Sequence, residues 1–281
     1  MKLKGLFILS AAVVVFQSST GQDTDAGKSD YSISVQYNHE LVLDGYVQVR
    51  EWELLGDRME LRALGMITYP ALQFQLEKRF RKGTSLAIAY DRFFMRGKSV
   101  FERDITYNGT IINGRNGIDV SPTRYFRITA SFSGPLVDHM HFDLKYNAAL
   151  VLDHITFYLD GEVVPSSPST EVFEGFGRQA FPYPVVGLQG DAELNDKSII
   201  GFEVSGTYIP EFKSFYTESG NVHLAYRNFL TDLSYSRSIF DFDVAVGAKF
   251  RYLYLFQESR EDTNIISTLT FGPYIEVSYQ F

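Results

Sequence analysis

The chain of 281 residues predicts an all-β fold, a transmembrane antiparallel up-and-down β-barrel of about ten strands, with eight or twelve as the neighbouring even counts. Three observations lead there. First, the last stretch, 265–281, alternates strictly. Leu269, Phe271, Pro273, Ile275, Val277, Tyr279 and Phe281 fall on one parity, and Thr268, Thr270, Gly272, Tyr274, Glu276, Ser278 and Gln280 on the other. A period of two is that of a pleated strand with one apolar and one polar face. Second, the composition looks soluble, with 45% hydrophobic residues and a mean hydropathy of -0.10, yet aromatics reach 15%, with 18 Tyr and 24 Phe. Strands that average lipid-facing and lumen-facing residues hide a membrane from hydropathy, and interfacial girdles enrich Tyr and Phe. Third, the connections between strands alternate between short turns and longer loops.

In chain order, Tyr31, Ile33, Val35 and Tyr37 alternate with Ser32, Ser34, Gln36 and Asn38 as a first strand. Residues 40–65 read equally as a hairpin extension or an amphipathic helical turn. Next, Leu72, Phe74 and Leu76 face out against Gln73, Gln75, Glu77 and Arg79, and the basic turn KRFRKG follows. Leu86, Ile88 and Tyr90 then face out against Ser85, Ala87, Ala89 and Asp91. A polar loop over 101–122 carries Asn-Gly turn signals at 108 and 113. Phe126, Ile128, Ala130 and Phe132 lead to the turn SGPLVD, and Phe142, Leu144, Tyr146, Ala148 and Leu150 return from it. After a loop at about 158–180, Val186 and Leu188 mark a shorter strand ending in LNDK. Ile200, Phe202, Val204, Tyr208 and Phe212 face out in the next, and YTESGN is its loop. In 222–236, Leu224 and Tyr226 share one parity but Phe229, Leu233 and Tyr235 the other. A β-bulge near Arg227 and Asn228 would turn both groups to lipid. After the turn SIFD, Phe242, Val244, Val246, Ala248, Phe250, Tyr252 and Tyr254 face out against Asp243, Lys249 and Arg251.

Lys2 and Lys4, an apolar run over 5–16 and the small residues Ser19, Thr20 and Gly21 predict an export signal over 1–21. That run is shorter than the roughly 20 residues a spanning helix needs. Residues 22–30 read as a flexible leader and 31–281 as one barrel domain. The aromatic last residue, with apolar residues at alternating positions before it, resembles the C-terminal strand of Gram-negative bacterial outer-membrane β-barrels. The resemblance implies an outer-membrane location and an assembly signal in Phe281, Tyr279, Val277 and Ile275, read by the outer-membrane assembly machinery. It also implies outer-membrane lipids as partners, with short turns in the periplasm and long loops outside.

The chain has no Cys, which excludes disulfides, a thiolate nucleophile, thiolate metal ligation and a lipid-modified cysteine. Its net charge of -8 argues against nucleic acid. Neither a cofactor nor a metal set is expected, because no His/Asp/Glu group has ligand spacing. For catalysis the weak candidates are Asp153 with His154, and His39, placed towards the rim where an oriented His could activate water or a Ser. Adjacent strand residues point to opposite faces, which works against the first pair. The signatures of outer-membrane proteases and of lipid A deacylase and phospholipase barrels are not legible. The lumen parity carries Glu77, Arg79, Asp91, Arg127, Asp143, Lys145, Glu203, Asp243, Lys249, Arg251 and Glu276. Interleaved signs predict a network that avoids lone buried ions. The reading is therefore a barrel with a closed polar lumen and a structural or surface-interaction role. A small channel for polar solutes and a rim-located lipid- or peptide-modifying enzyme are the alternatives.

Overall fold

The computed structural model describes residues 30–51, 56–80, 83–139, 141–176, 182–217, 221–260 and 262–281. The expected signal segment, and the expected leader apart from Asp30, lie outside these residues. Fifteen strands follow one another: β1 (Tyr31–Glu51), β2 (Met59–Glu60), β3 (Thr68–Arg79), β4 (Ser85–Phe93), β5 (Gly97–Ser99), β6 (Ile105–Tyr107), β7 (Thr110–Ile112), β8 (Ile118–His139), β9 (Phe142–Asp160), β10 (Phe173–Phe176), β11 (Tyr183–Asn195), β12 (Ser198–Thr217), β13 (Asn221–Ile239), β14 (Phe242–Glu258) and β15 (Asp262–Gln280).

Ten of them, β1, β3, β4, β8, β9 and β11 to β15, pair antiparallel in sequence, and β15 pairs back onto β1 to close the ring. Among the described residues closure leaves none of the ten ring strands without a neighbour on either side, which a hydrocarbon surround demands. The short strands β2, β5 and β10 extend the wall beside β1, β8 and β9, while β6 and β7 form a separate hairpin. The ends of the ring differ. At one end few residues separate β3 from β4, β8 from β9, β11 from β12 and β13 from β14, while at the other β1 and β3, β4 and β8, and β9 and β11 are separated by three long stretches of chain.

The outer wall is apolar. Ile33, Val35 and Tyr37 on β1, Leu86, Ile88 and Tyr90 on β4, and Phe271, Ile275 and Val277 on β15 are all exposed, while the intervening Ser32, Ser34 and Gln36 are buried. This inversion of the globular pattern is what lipid on the outside selects. At the seam Phe281 and Tyr31 exchange backbone hydrogen bonds of 2.9 and 3.3 Å and stack their rings 6.0 Å apart.

Several expectations are corrected by this geometry. Residues 40–51 continue β1, and a register shift between Val42 and Asp44 moves the inward parity from Glu40 and Val42 to Val47 and Val49. Gly45 makes the shift possible. Its φ is +143°, and a Cβ there would lie 2.4 Å from the Ser267 carbonyl oxygen. SGPLVD is not a turn but part of β8, bulged between Pro135 and Val137, and the reversal comes between His139 and Phe142. Gly134 opens room for the Tyr146 ring, whose atoms would stand 2.6–2.7 Å from a Cβ. The second Asn-Gly pair caps a short 3-10 turn, whereas Asn108-Gly109 does turn the β6–β7 hairpin in left-handed conformations.

The bulge expected near Arg227 and Asn228 is also overturned. β13 pairs with β14 without a break from His223 to Ile239, and the neighbouring irregularity lies on β12 between Ile209 and Phe212. Leu224 and Tyr226 point inward, 2% and 3% exposed, and Phe229, Leu233 and Tyr235 point outward. Phe212, expected outside, packs against the same interior. The expectation took the lumen to be polar along its whole length, and its upper half is not. Arg227 faces out, its guanidinium 5.2 and 4.9 Å from the ring centres of Tyr208 and Tyr254.

Candidate functional site

The interior is built in layers, each set by which residues the inward parity presents at that height. Nearest the short turns the inward residues are small and amide-bearing ones interleaved with charged ones. They leave a chamber of about 320 Å³ lined by Gln36, Gln73, Gln75, Ser131, Glu203 and Glu276 among others. Its mouth is wet. Lys145 lies 3.7 Å from Asp191 and Arg79 lies 3.6 Å from Glu77, all with partly exposed side chains.

The inner end of the chamber is a charged layer. Arg127 donates from Nε and Nη2 to the two oxygens of Asp153 at 2.9 and 3.0 Å, a two-pronged pair whose side chains are 8% and 1% exposed. Asp153 Oδ2 also accepts from the Tyr183 hydroxyl at 2.5 Å, and the Tyr183 hydroxyl oxygen in turn accepts from Asn228 Nδ2 at 3.1 Å. Lys249 donates to Gln36 Oε1 at 2.9 Å and lies 3.6 Å from Asp232, whose other oxygen accepts from Tyr274 at 2.8 Å. Arg251 lies 3.2 Å from Glu40, which accepts from Thr270 at 2.5 Å. Such pairs offset the desolvation cost only when both partners are present.

Above the charges come rings. The Arg251 guanidinium sits 5.1 Å from the centre of Phe93, which stacks on Tyr125 at 4.1 Å and meets Tyr69 edge-on at 5.9 Å. Tyr183 stacks on Tyr226 at 4.9 Å. They open a single buried apolar cluster to which all ten ring strands contribute: Val47, Ala71, Phe93, Tyr125, Val151, Val185, Leu224, Leu253 and Ile266, with Ile209 and Phe212 of β12 packed against it. The long connections complete it with Leu61, Leu64, Met66, Ile105, Tyr107 and Ile112, all buried. At this level the bore is filled by side chains.

The cap above is tied down by polar contacts. Asp57 accepts from the Thr106 N–H at 2.7 Å and from Arg103 at 2.8 Å, a bond that raises Arg103 above the usual arginine value. Thr110 donates to the Glu171 carbonyl at 2.7 Å, and Tyr107 to that of Phe157 at 3.2 Å. Burial, with Glu174 adding to it, pushes the Tyr107 hydroxyl well above the usual tyrosine value.

The residues singled out in the sequence distribute over this frame. Asp153 and His154 lie on opposite faces. Asp153 is buried as the partner of Arg127, and the His154 ring lies outside, 5.1 Å from Phe126. His39 also faces outward, 3.3 Å from the Tyr37 hydroxyl. The three candidates are not brought together at a rim. Of the lumen set, the cations pair with Glu77, Asp153, Asp191, Asp232 and Glu40. Asp143 sits opposite Asp191 near the short turns, and Asp243 accepts from Ser238 at 2.5 Å and Gln280 at 3.0 Å. Sequence reasoning missed Glu40 because it ended the first strand at Asn38 and not at Glu51, although Gln36, Asn38 and Glu40 share one parity. Ile275, Val277 and Tyr279 point outward, and Phe281 closes the seam. Among the described residues no group of three or more His, Asp or Glu is placed to hold a metal ion.

No protein-family model matches the chain, and no curated protein sequence matches it. Among solved structures it is similar to the outer membrane protease OmpT from Escherichia coli, with a TM-score of 0.50 and 11% identity over 92% of this chain and 99% of that one. It is less similar to the toluene transporter TodX from Pseudomonas putida, with a TM-score of 0.34 and 8% identity over 91% of this chain and 90% of that one. For the translocator domain of the autotransporter NalP from Neisseria meningitidis the TM-score is 0.32, with 10% identity over 92% and 90%. The first likeness shows the fold alone, that of a bacterial outer-membrane β-barrel; the two looser ones add nothing to it.

Proposed function

We propose that the chain is a closed, non-conducting barrel of the Gram-negative outer membrane, exported by its N-terminal segment, that acts through its surface and not as a pore or an enzyme. The observation that supports this most is the apolar cluster to which every ring strand contributes. Water or a polar solute would have to part stacked rings and buried Leu, Ile, Val and Met side chains to pass. The described parts of the three long connections fold over the same end into a cap held by Asp57, Arg103, Thr106 and Thr110, which offers a partner a preorganised surface. The apolar outer wall would contact membrane lipid directly. A channel reading needs the plug to leave, and the rim-enzyme reading built on Asp153, His154 and His39 finds the carboxylate inside the barrel and both histidines outside it.

The experiment is electrical. Purified protein added to planar bilayers is expected to give no steady conductance above that of the bare membrane. Long-lived, uniform openings from the unmodified protein would reject the closed reading and support the channel.

A further inference from the structure

The ion pairs of the lower lumen leave a remainder. Five cations face it, and each has its own carboxylate: Arg79 with Glu77, Arg127 with Asp153, Lys145 with Asp191, Lys249 with Asp232, and Arg251 with Glu40. Three more carboxylates on the chamber wall, Asp91, Glu203 and Glu276, have no ion-pair partner among the described residues. Glu203 leans on a neutral group, accepting from Asn147 Nδ2 at 3.5 Å. Asp91 is the most demanding of the three. It is 2% exposed, lines the chamber, and its Oδ1 has no hydrogen-bond donor. Its cross-ladder neighbour is Arg127, but that guanidinium is already engaged by Asp153. A buried carboxylate oxygen without a donor is strongly unfavourable, and a positively charged donor entering the chamber would relieve it.

The arrangement restricts which cation fits. The three carboxylates stand on β4, β12 and β15, on different sides of the ring, and do not converge as a metal site would. A ligand that answers all three needs several positive charges held apart by flexible spacers. It must also fit about 320 Å³. Tyr274 on the same wall, 9% exposed, offers an apolar ring to methylene groups. We propose that the chamber is a binding site for a small linear polyamine, admitted from the short-turn end. The site lies below the plug and needs only the chamber, so it stands or falls separately from the closed-barrel reading.

The test is calorimetric titration of the purified protein in detergent micelles with spermidine, at about 0.15 M salt, where exposed charges are screened beyond about 8 Å. Saturable one-site binding is expected, with Glu203→Gln and Glu276→Gln each weakening it about tenfold, the scale of one charge-assisted hydrogen bond. Asp91→Asn should weaken it at least as much; if that variant does not fold, the two glutamate variants decide. Magnesium chloride at equal charge concentration should not displace spermidine. The proposal is overturned by an absence of saturable binding, as protonated wall carboxylates would give. Binding indifferent to these substitutions, or equal displacement by magnesium, would overturn it too.

Discussion

Replacing Arg127 by Met is expected to destabilise the barrel by about 3–5 kcal/mol, the cost of leaving one partner of a buried ion pair alone. Asp153, 1% exposed at its side chain, would keep only the Tyr183 hydroxyl of its present donors. The double replacement Arg127→Met with Asp153→Leu should recover most of that loss, because two well-packed apolar groups can substitute for a buried pair with little net change. Urea-driven unfolding of the protein inserted in lipid vesicles would read both. A single-variant change within about 0.5 kcal/mol would be the behaviour of an exposed pair, and would mean that water reaches this layer.

Replacing Phe281 by Ala separates two roles the residue could have. At the seam it stacks on Tyr31 at 6.0 Å and on Tyr279 at 6.2 Å. Losing two ring contacts of that kind costs about 1–3 kcal/mol at roughly 0.5–1.5 each. Its backbone hydrogen bonds to Tyr31 do not depend on the side chain. As seam packing alone, the substitution would lower stability modestly and leave the yield of inserted protein nearly unchanged. As part of an assembly signal, it should cut the inserted fraction severalfold while the protein that does insert unfolds almost normally. Quantifying folded protein in the membrane fraction against total exported protein tells these apart, and an unchanged inserted fraction would remove the assembly role.

Much of the ring was legible in the sequence because lipid outside and polar groups inside impose a period of two that survives averaging. The outward sets on β4, β9, β14 and β15 follow directly from it, as do the turns at 195–198 and 239–242. What the pattern hid has one physical source. Near the loop end both faces of the wall are apolar, lipid on one side and plug on the other, so alternation fades. Leu224 and Tyr226 then look misplaced when they are core residues. The same blindness hid the plug itself, since Leu61, Met66 and Tyr107 lie in connections whose local sequence carries no strand period. In the charged layer the parity of each residue was readable but its partner was not. Pairing runs both across and along the wall, as when Arg251 on β14 reaches Glu40 on β1. Asp153, which beside His154 looked like half of a catalytic couple, is the inward carboxylate of that layer.

The account rests on a lumen that is wet in one half and dry in the other. The absence of native cysteine allows one thiol to be placed at each level. Ser131→Cys puts it in the chamber wall, and Val47→Cys puts it in the plug, where Val47 is 0% exposed. The rate of reaction with a small charged thiol reagent, compared with the same variants unfolded in urea, measures water access at each level. The account predicts that the cysteine at 131 reacts at close to its unfolded rate, while the one at 47 is slowed by orders of magnitude until the protein unfolds. Equal, rapid reaction of both in the folded protein would contradict it.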